Sequence, residues 1–400
     1  MDIIEITGVI KEYEWGNTTF IADLLGQSPQ EKRQAELWYS THPDGESIVV
    51  ETQEPLSSLL ERDPEHWFGS DHLAVYGPVL PLLLKVLAID KPLSLQVHPT
   101  KDQAESGWKD ERQIREKLPK ELWNYKDTNG KPEMAYVLTP TTVMCGFRTL
   151  EEIRTNLKAL IPTGYNKHFA FLDERDSPSL VAMLFKTLYG LGKEERDLLL
   201  SEYLRSIEED TTLVYKSDEQ FLHPKDIVMS LAKEYPGDPG LLAPFMLNVL
   251  HLSPGEAIYL EPGVLHAYIK GNVIELMSAS DNVLRAGLTP KKVDVTELLK
   301  VMKVDGGPIE RAPLLVGQSG RLHVLTPTED FHLMILESGR YEIADRLSIE
   351  LLFVTDGSAQ FTCKGEKRTL EKGKCYVVAS GADSYQLEVE GRVFAADVPR

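Results

Sequence analysis

The hydrophobic period of this 400-residue chain changes twice along its length. From residue 1 to about 148, short apolar segments such as "LPLLLKVLAID" are separated by Gly, Pro and Asp, which predicts strands and turns. From Thr149 to about Pro239, apolar residues recur three and four apart, as in "TLEEIRTNLKALI", which predicts helices. Strand-like sequence returns near residue 243. The pattern predicts a mainly β protein with a helical insertion.

Two segments of the chain align with each other without gaps. They are "GEAIYLEPGVLHAY" from Gly255 and "GKCYVVASGADSYQ" from Gly373. We interpret them as two copies of one β-hairpin unit. Position twelve is His266 in the first copy and Ser384 in the second, so a ligand group survives only in the first. The second copy is therefore predicted to be metal-free.

Composition excludes several kinds of partner. The net charge of -19 at pH 7 would repel nucleic acid and anionic membranes. The strongest apolar run, "VLPLLLKVLAI", contains Lys85 and is far shorter than the roughly 20 residues of a membrane span. The start, "MDIIEITGVI", lacks the basic residues of a signal peptide. Cys145, Cys363 and Cys375 form no paired framework, which indicates reduced thiols and a cytoplasmic protein.

The stretch "LSLQVHP" contains a candidate metal site. Alternation along a strand directs Ser94, Gln96 and His98 to one face. A Gln and a His alone are weak evidence, because a buried His satisfied by hydrogen bonds is commoner than a ligand. Glu133 in "GKPEMAY" and His266 in "PGVLHAY" add a carboxylate and a second imidazole. Two imidazoles and a carboxylate suit Zn²⁺ or a similar divalent ion.

Two further charged residues interrupt strand-like sequence. Lys85 lies within an apolar strand, and we expect it to face a polar cavity or to pair with an anion, because an unpaired buried ammonium is costly. Glu275 shares strand parity with Val273 and Met277. A carboxylate held in such an interior has a raised pKa, which suits a general base.

Several motifs, taken in order over most of the chain, resemble type I phosphomannose isomerases, a family of zinc enzymes in the cupin superfamily. They are "YEWG", "AELWYSTHPDGES", "LLLKVLAIDKPLSLQVHP", "KPEMA", "PGVLHAY" and "IELMSASDNVLRAGLTPK". The last is the most specific, because it is long and mostly polar and no packing rule demands it.

The resemblance implies cupin-type β-barrels of jelly-roll form plus an α-helical domain. It divides the chain into a first part of the catalytic β domain, a helical domain, a second part of the catalytic domain and a metal-free C-terminal barrel, at residues 1–148, 149–242, 243–320 and 321–400.

The resemblance also implies a function. The family interconverts mannose 6-phosphate and fructose 6-phosphate through a cis-enediol, and we expect one zinc ion per chain. We expect no nucleic-acid or membrane partner, and a monomer or weak homo-oligomer. Two alternatives are a non-catalytic sugar-phosphate-binding cupin, against which Arg285, Lys131 and Glu133 argue, and an iron-dependent cupin oxygenase. A full set of four ligands leaves less room for the latter.

Carried over by matching motif, the resemblance assigns roles to twelve residues. The metal ligands are Gln96, His98, Glu133 and His266. The catalytic residues are Arg285, Glu275, Lys131 and Asp281. The substrate-binding residues are Lys85, Ser94, Tyr268 and Lys291. The general base is Glu275 in preference to Lys131 or Asp281, and Arg285 contacts either the phosphate or the developing enediolate.

Two expectations concern neighbouring positions. Tyr13, Trp15 and Trp38 are interpreted as residues that shape and support the pocket. Many members of the family read His-Lys-Pro-Glu where this chain has Gly130-Lys131-Pro132-Glu133. That His has been proposed to assist opening of the sugar ring. Because Gly130 has no side chain, another group or a water must act in its place.

Overall fold

A computed structural model of the chain describes residues 2–398, apart from 120–121, 175–176, 178, 210–219, 292, 345, 347 and 383. The described residues form antiparallel sheets with an inserted block of helices, as the sequence pattern predicted. Among them, no helix is both long and apolar enough to cross a membrane.

The described part of the first 148 residues contains eight strands and five helices. They are β1 (Ile3–Thr7), β2 (Val9–Lys11), α1 (Phe20–Leu24), β3 (Glu36–Tyr39), β4 (Ile48–Val49), α2 (Leu56–Leu60), α3 (Pro64–Phe68), α4 (Ser70–Tyr76), β5 (Leu82–Ile89), β6 (Leu95–Val97), α5 (Lys101–Arg115), β7 (Glu133–Val137) and β8 (Thr141–Phe147).

The helical block begins where the sequence period changes. The Thr149 side chain accepts a hydrogen bond from the Glu152 amide, and the Glu152 carboxylate accepts one from the Thr149 amide, which is a capping box. The α-helices are α6 (Leu150–Leu160), α7 (Pro162–Gly164), α8 (Ser179–Gly190), α9 (Lys193–Glu209), α10 (Pro224–Glu234) and α11 (Ala243–Met246).

The remaining chain returns to strands. They are β9 (Leu247–Leu252), β10 (Ala257–Leu260), β11 (His266–Ser278), β12 (Leu284–Gly287), β13 (Leu314–Val316), β14 (Leu322–Val324), β15 (His332–Ile343), β16 (Glu350–Cys363), β17 (Glu366–Glu371), β18 (Cys375–Val378) and β19 (Tyr385–Asp397), with one helix, α12 (Val295–Val301), between β12 and β13.

The long strand β11 connects two halves of a ten-stranded sheet. Its second part, from Gly271 to Ser278, pairs with β5 and β7, whereas its first part pairs with β6 and β8. The change of partners occurs at Gly271, whose φ is 130° and where a Cβ would lie 2.2 Å from Thr141 Oγ1. Only glycine fits such a close approach. One continuous strand therefore carries side chains into both halves of the sheet.

The second sheet has nine strands in the order β13-β14-β15-β19-β16-β18-β1-β4, with β17 beside β16. It packs against the first sheet through apolar faces, where the ring of Tyr39 lies 5.1 Å from that of Phe353, and Tyr136 lies 5.2 Å from Phe394, between centroids. The first strand of the chain thus pairs with one C-terminal strand, β18, as well as with β4. The sequence pattern predicted strands in the first 148 residues but carried no information on the partners of β1.

The two aligned segments fold alike, although the expected hairpin is wrong. Strands β10 and β18 occupy the same four positions of each segment, and each follows a glycine with positive φ. Among the described residues, the two strands of each copy do not pair with each other. Instead β10 and β11 flank β7, and β18 and β19 flank β16. The repeat unit is therefore a pair of strands that encloses a third.

The repeat places a buried carboxylate at the same position of each central strand. Glu133 lies opposite Leu260, and Glu350 lies opposite Val378, the equivalent residue of the second copy. In the second copy the carboxylate is satisfied by protein groups. Arg321 Nη1 donates to it at 3.2 Å and the Tyr385 hydroxyl at 2.5 Å, while Arg346 Nε lies 3.8 Å away.

We predict that Glu350→Gln destabilises the second sheet, because it leaves two guanidinium groups without their counter-charge. Breaking a buried ion pair typically costs about 3–5 kcal/mol. Hydrogen exchange of β16 and β19, followed by mass spectrometry, measures the loss of protection. Glu388→Gln in the same sheet is the control, since Glu388 pairs with Arg340 at the exposed surface. Equal protection in both variants would contradict the prediction.

Candidate metal centre

Three predicted ligands meet at the ends of three strands. His98 follows β6, Glu133 begins β7 and His266 begins β11. All three are buried, with at most 2% of each residue exposed. One ligand atom from each lies within 4.8 Å of those of the other two. The fold therefore brings together residues that lie far apart in the sequence, since His98 and His266 are separated by 168 positions.

The two imidazole rings are oriented by main-chain carbonyls. Nδ1 of His98 lies 2.7 Å from the Asn282 carbonyl oxygen, and Nδ1 of His266 lies 2.9 Å from that of Val264. Because a carbonyl only accepts hydrogen bonds, each Nδ1 carries the proton. Each Nε2 is then left with a free lone pair, which is the form of a metal-ligating histidine.

The lone pairs of the site are directed at one another without forming hydrogen bonds. His98 Nε2 lies 3.3 Å from Glu133 Oε1, and His266 Nε2 lies 3.4 Å from Glu133 Oε2. Both Nε2 atoms and Glu133 Oε2 have no hydrogen-bond partner among the described residues, although buried polar atoms are rarely left unsatisfied. Two imidazoles and a carboxylate arranged in this way fit a divalent cation of the zinc type.

Gln96 lies beside these ligands. It is directly opposite His266 in the pairing of β6 with β11, and opposite Arg285 in the pairing of β6 with β12. Directly opposed residues of antiparallel strands point to the same face. The register therefore places the Gln96 side chain on the His266 face, where a fourth ligand is needed.

The charge of the centre is balanced by a lysine. Burial opposes ionisation of Glu133, but the Lys131 ammonium, 3.0 Å from Oε1, acts against it, and the pKa of the carboxyl is held well below its usual range. Burial lowers the pKa of His98 to about 4. Near pH 7 the site therefore offers a carboxylate and a neutral ring, both of which are forms that bind metal.

A buried ion pair between neighbouring strands lies on the same face of the sheet. Lys85 of β5 lies opposite Glu275 of β11, and its ammonium is 3.2 Å from Glu275 Oε2. Both side chains are almost fully buried. Burial raises the pKa of Glu275 to about 7, although Lys85 acts in the opposite direction. Of the two expectations for Lys85, a polar cavity or an anionic partner, the structure shows the second.

Glu36 and Trp38 of β3 complete this row, and the site residues predicted from the sequence did not include them. Glu36 Oε2 lies 3.8 Å from the Lys85 ammonium and accepts a hydrogen bond from the Trp38 indole. The same ammonium lies 4.8 Å from the centre of the Trp38 ring. Alternation in "ELWY" places both residues on one face, which was the available signal, but it did not reveal the lysine between them.

A cleft of about 1130 Å³ opens beside the centre. Asp281, one of the predicted catalytic residues, lines it together with His42, Asp127 and Gly130. The Asp281 carboxylate lies 3.4 Å from Nε2 of His42, a residue that the sequence analysis did not select. Asp281 therefore lies at the wall of the cleft and is not one of the residues that surround the ligands.

The other predicted residues differ in exposure. Tyr268 is buried, with its ring 6.4 Å from that of His266, and burial raises the pKa of its hydroxyl well above the usual value. Arg285 is half-buried and Lys291 is exposed, and the two line one small hollow. Ser94 is half-buried two residues before Gln96.

Asn282 is a further residue that supports the centre. It is fully buried, its carbonyl orients His98, and its side-chain oxygen accepts a hydrogen bond from the Lys126 amide at 2.7 Å. Its amide nitrogen donates to the carbonyl oxygens of Asp127 and Asn129. Asn282 therefore holds the segment that precedes Lys131 against the segment that precedes Arg285. In the sequence the only signal was its place in a polar motif.

Comparison with known proteins identifies relatives over most of the chain. A family model, phosphomannose isomerase type I, catalytic domain, matches residues 3–150. The mannose-6-phosphate isomerase of Escherichia coli strain K12 is 32% identical over 391 residues, with 96% of each chain covered. That of Homo sapiens is 33% identical over 321 residues, covering 75% of this chain and 73% of the relative. A zinc-bound crystal structure of mannose 6-phosphate isomerase has a TM-score of 0.87 and 28% identity, with 100% of both chains covered.

We predict that His266→Ala abolishes binding of a divalent cation and leaves the fold intact, because the ring lies on a sheet that forms without it. Metal content after dialysis against Zn²⁺ measures the first effect, and circular dichroism measures the second. His251→Ala is the control, since His251 lies on β9, which is separated from β11 by β8, and bonds to the Leu222 carbonyl. Full cation retention in His266→Ala would exclude this site.

Proposed function

The chain belongs to the type I phosphomannose isomerase family, and we propose that its buried centre interconverts mannose 6-phosphate and fructose 6-phosphate with one bound zinc ion. The observation that carries this proposal is the set of unsatisfied ligand atoms on His98, Glu133 and His266 beside a buried carboxylate with a raised pKa. A protein that only bound sugar phosphate would need the ligands but not that carboxylate.

The reaction defines what the residues must do. Interconversion of an aldose and a ketose moves a proton between C1 and C2 through a cis-enediol, so a base must take the proton from one carbon and return it to the other. Gln96, His98, Glu133 and His266 would hold the zinc ion. When bound, zinc supplies a Lewis acid that polarises the carbonyl oxygen of the open-chain sugar.

Glu275 is our choice for the group that carries the proton. It is buried, and its pKa of about 7 allows it to take and release a proton near neutral pH. The two other candidates are placed less well for this task. Lys131 is paired with Glu133 at 3.0 Å, and Asp281 is paired with His42 at the wall of the cleft.

Lys85, between the carboxylates of Glu275 and Glu36, is best suited to hold Glu275 in position. A contact of Lys85 with the substrate phosphate, which the resemblance implied, stays a prediction. Arg285 and Lys291 line one hollow and provide two cationic groups there, so we assign them to an oxyanion of the substrate, either phosphate or enediolate. Ser94 and Tyr268 are kept as substrate-binding residues.

Two further properties belong to the proposal. A cytoplasmic location is supported by Cys145, Cys363 and Cys375, which are all unpaired and buried. The oligomeric state, monomer or weak homo-oligomer, stays a prediction. The charge of -19 supports the expectation that nucleic acid is not a partner.

A coupled assay for fructose 6-phosphate tests the proposal directly. We expect the purified chain to convert mannose 6-phosphate, to lose activity after chelation, and to recover it when Zn²⁺ is restored without iron and under anaerobic conditions. Binding of mannose 6-phosphate without turnover in the zinc-loaded protein would favour the non-catalytic alternative. A requirement for iron and oxygen would favour an oxygenase.

We predict that kcat/KM falls as the pH is lowered through about 7, because the base must be ionised and burial raises the pKa of Glu275 to about 7. With an ordinary glutamate pKa, the fall would occur near pH 4 to 5. The pH profile of kcat/KM measures the pH at which this fall occurs. The substrate phosphate also titrates near pH 6, so Glu275→Asp is the control. If kcat/KM falls at the same pH in this variant, the fall reports titration of the substrate phosphate and not of residue 275.

A further inference from the structure

The side chains of Glu36, Lys85 and Glu275 form a buried cluster whose charges do not balance. The Lys85 ammonium lies 3.2 Å from Glu275 Oε2 and 3.8 Å from Glu36 Oε2. Each of the three side chains is at most 12% exposed. Two carboxylates therefore share one ammonium, and the cluster carries an excess of one negative charge when both carboxyl groups are ionised.

The order of the strands fixes these contacts. Trp38 of β3 lies opposite Lys85 of β5, which in turn lies opposite Glu275 of β11. Glu36 precedes Trp38 by two residues, so both side chains are on the same face of β3. The Trp38 indole donates a hydrogen bond to Glu36 Oε2, the oxygen that faces the ammonium. The two carboxylates thus reach Lys85 from the two strands that flank β5.

Three more ionisable groups affect the Glu275 carboxyl, namely those of Glu133, Lys131 and Tyr268. Glu133 and Lys131 form an ion pair at 3.0 Å, so their charges offset each other. The Tyr268 hydroxyl stays protonated near neutral pH, because burial raises its pKa well above the usual value. Among the described residues, the main compensation for the charge of Glu275 is therefore the ammonium that it shares with Glu36.

A proton taken up by Glu275 changes this balance. While Glu275 is ionised, the Lys85 ammonium has two partners of opposite charge. Once Glu275 holds a proton it is neutral, and without Glu36 the ammonium would be buried with no counter-charge beside it. An unpaired buried charge is costly. Glu36 removes this cost, because its carboxylate already lies next to Lys85.

We propose that Glu36 is a positioning residue for the reaction and serves as the counter-ion of Lys85 while Glu275 holds the substrate proton. This inference rests on the proposed isomerase function. The proton leaves one sugar carbon, whose bonding electrons pass into the enediol, and returns from Glu275 to the other carbon. Burial opposes the charge on Lys85, but Glu275 and Glu36 together raise its pKa above the usual value, so it stays an ammonium throughout. Glu36 acts through Lys85 and needs no contact with the sugar.

The first test removes the charge of Glu36. In Glu36→Gln, protonation of Glu275 leaves Lys85 without a counter-charge, so the pKa of Glu275 should be lower. We expect kcat/KM to fall at a pH at least about one unit below that of the unmodified protein. We also expect kcat to fall several-fold, because Glu275 becomes a weaker base, while KM changes much less. All variants are compared at equal zinc content, so the charge of the metal is the same in each.

Glu36→Asp and Glu12→Gln are the controls. Glu36→Asp keeps the charge and should keep most of kcat and of the pH dependence. Glu12 pairs with Lys32 at the exposed surface, so Glu12→Gln should change neither. A shift in Glu36→Asp as large as that in Glu36→Gln would overturn the inference, because packing at residue 36 and not its charge would then set the pH dependence.

A second measurement needs no change at residue 36 and applies even where Glu36→Gln fails to fold. The Trp38 indole N–H donates to Glu36, so its NMR signal, assigned with Trp38→Phe, reports on that carboxylate. In the substrate-free protein we expect this signal to shift at the pH at which Glu275 titrates, and we expect no such shift in Glu275→Gln. A shift that persists in Glu275→Gln would belong to another group, such as His42, whose ring lies 5.8 Å from that of Trp38, and would overturn the inference.

An unchanged pH profile in Glu36→Gln would overturn it as well. Failure of the unmodified, zinc-loaded protein to isomerise mannose 6-phosphate is a separate result, because it refutes the proposed function. The Trp38 signal would still show whether Glu36 and Glu275 share Lys85, since that measurement uses no substrate.

Discussion

The charge of Glu133, buried at the start of β7, is the constraint on which the rest of the site depends. An isolated carboxylate is costly in the interior, so it must be compensated by nearby donors or cations. Lys131 provides one full charge at 3.0 Å, while the two histidines present lone pairs and provide no donor. The charge is thus balanced by Lys131, but both histidine Nε2 atoms and Glu133 Oε2 have no partner among the described residues, and a divalent cation would satisfy them.

The fold meets this constraint through strand β11. Because its two parts pair with different partners, His266 at one end and Glu275 near the other belong to one strand but to two halves of the sheet. A register irregularity between Tyr268 and Lys270 lies between them, which allows residues an odd number of positions apart to face the same interior. The distance between the ligands and the Lys85–Glu275 pair is therefore set by the sheet itself, and no mobile loop is needed to assemble them.

Sequence reasoning predicted what depends on local pattern and missed what depends on pairing. Alternation in "LSLQVHP" and the repeat at His266 indicated candidate ligands, because each signal lies within a few residues, and the family resemblance supplied the full set. The partners Glu36 and His42 lie on other strands or loops, and no spacing links them to Lys85 or Asp281. The expected hairpin failed for the same reason, since alignment of the two segments contained no information about β7 and β16 between their strands.

The two copies of the repeat show how one strand position can serve two purposes. Glu133 and Glu350 occupy equivalent places and both are buried, so both need compensation. In the second copy Arg321 and Arg346 supply positive charge from within the chain, and Tyr385 adds a hydrogen bond. In the first copy Lys131 supplies positive charge at Glu133 Oε1, but the two histidines that face the carboxylate present lone pairs and donate no hydrogen bond to it. The difference between a structural ion cluster and a metal centre thus lies in whether the remaining neighbours of the buried carboxylate donate hydrogen bonds to it or present lone pairs that a cation can bind.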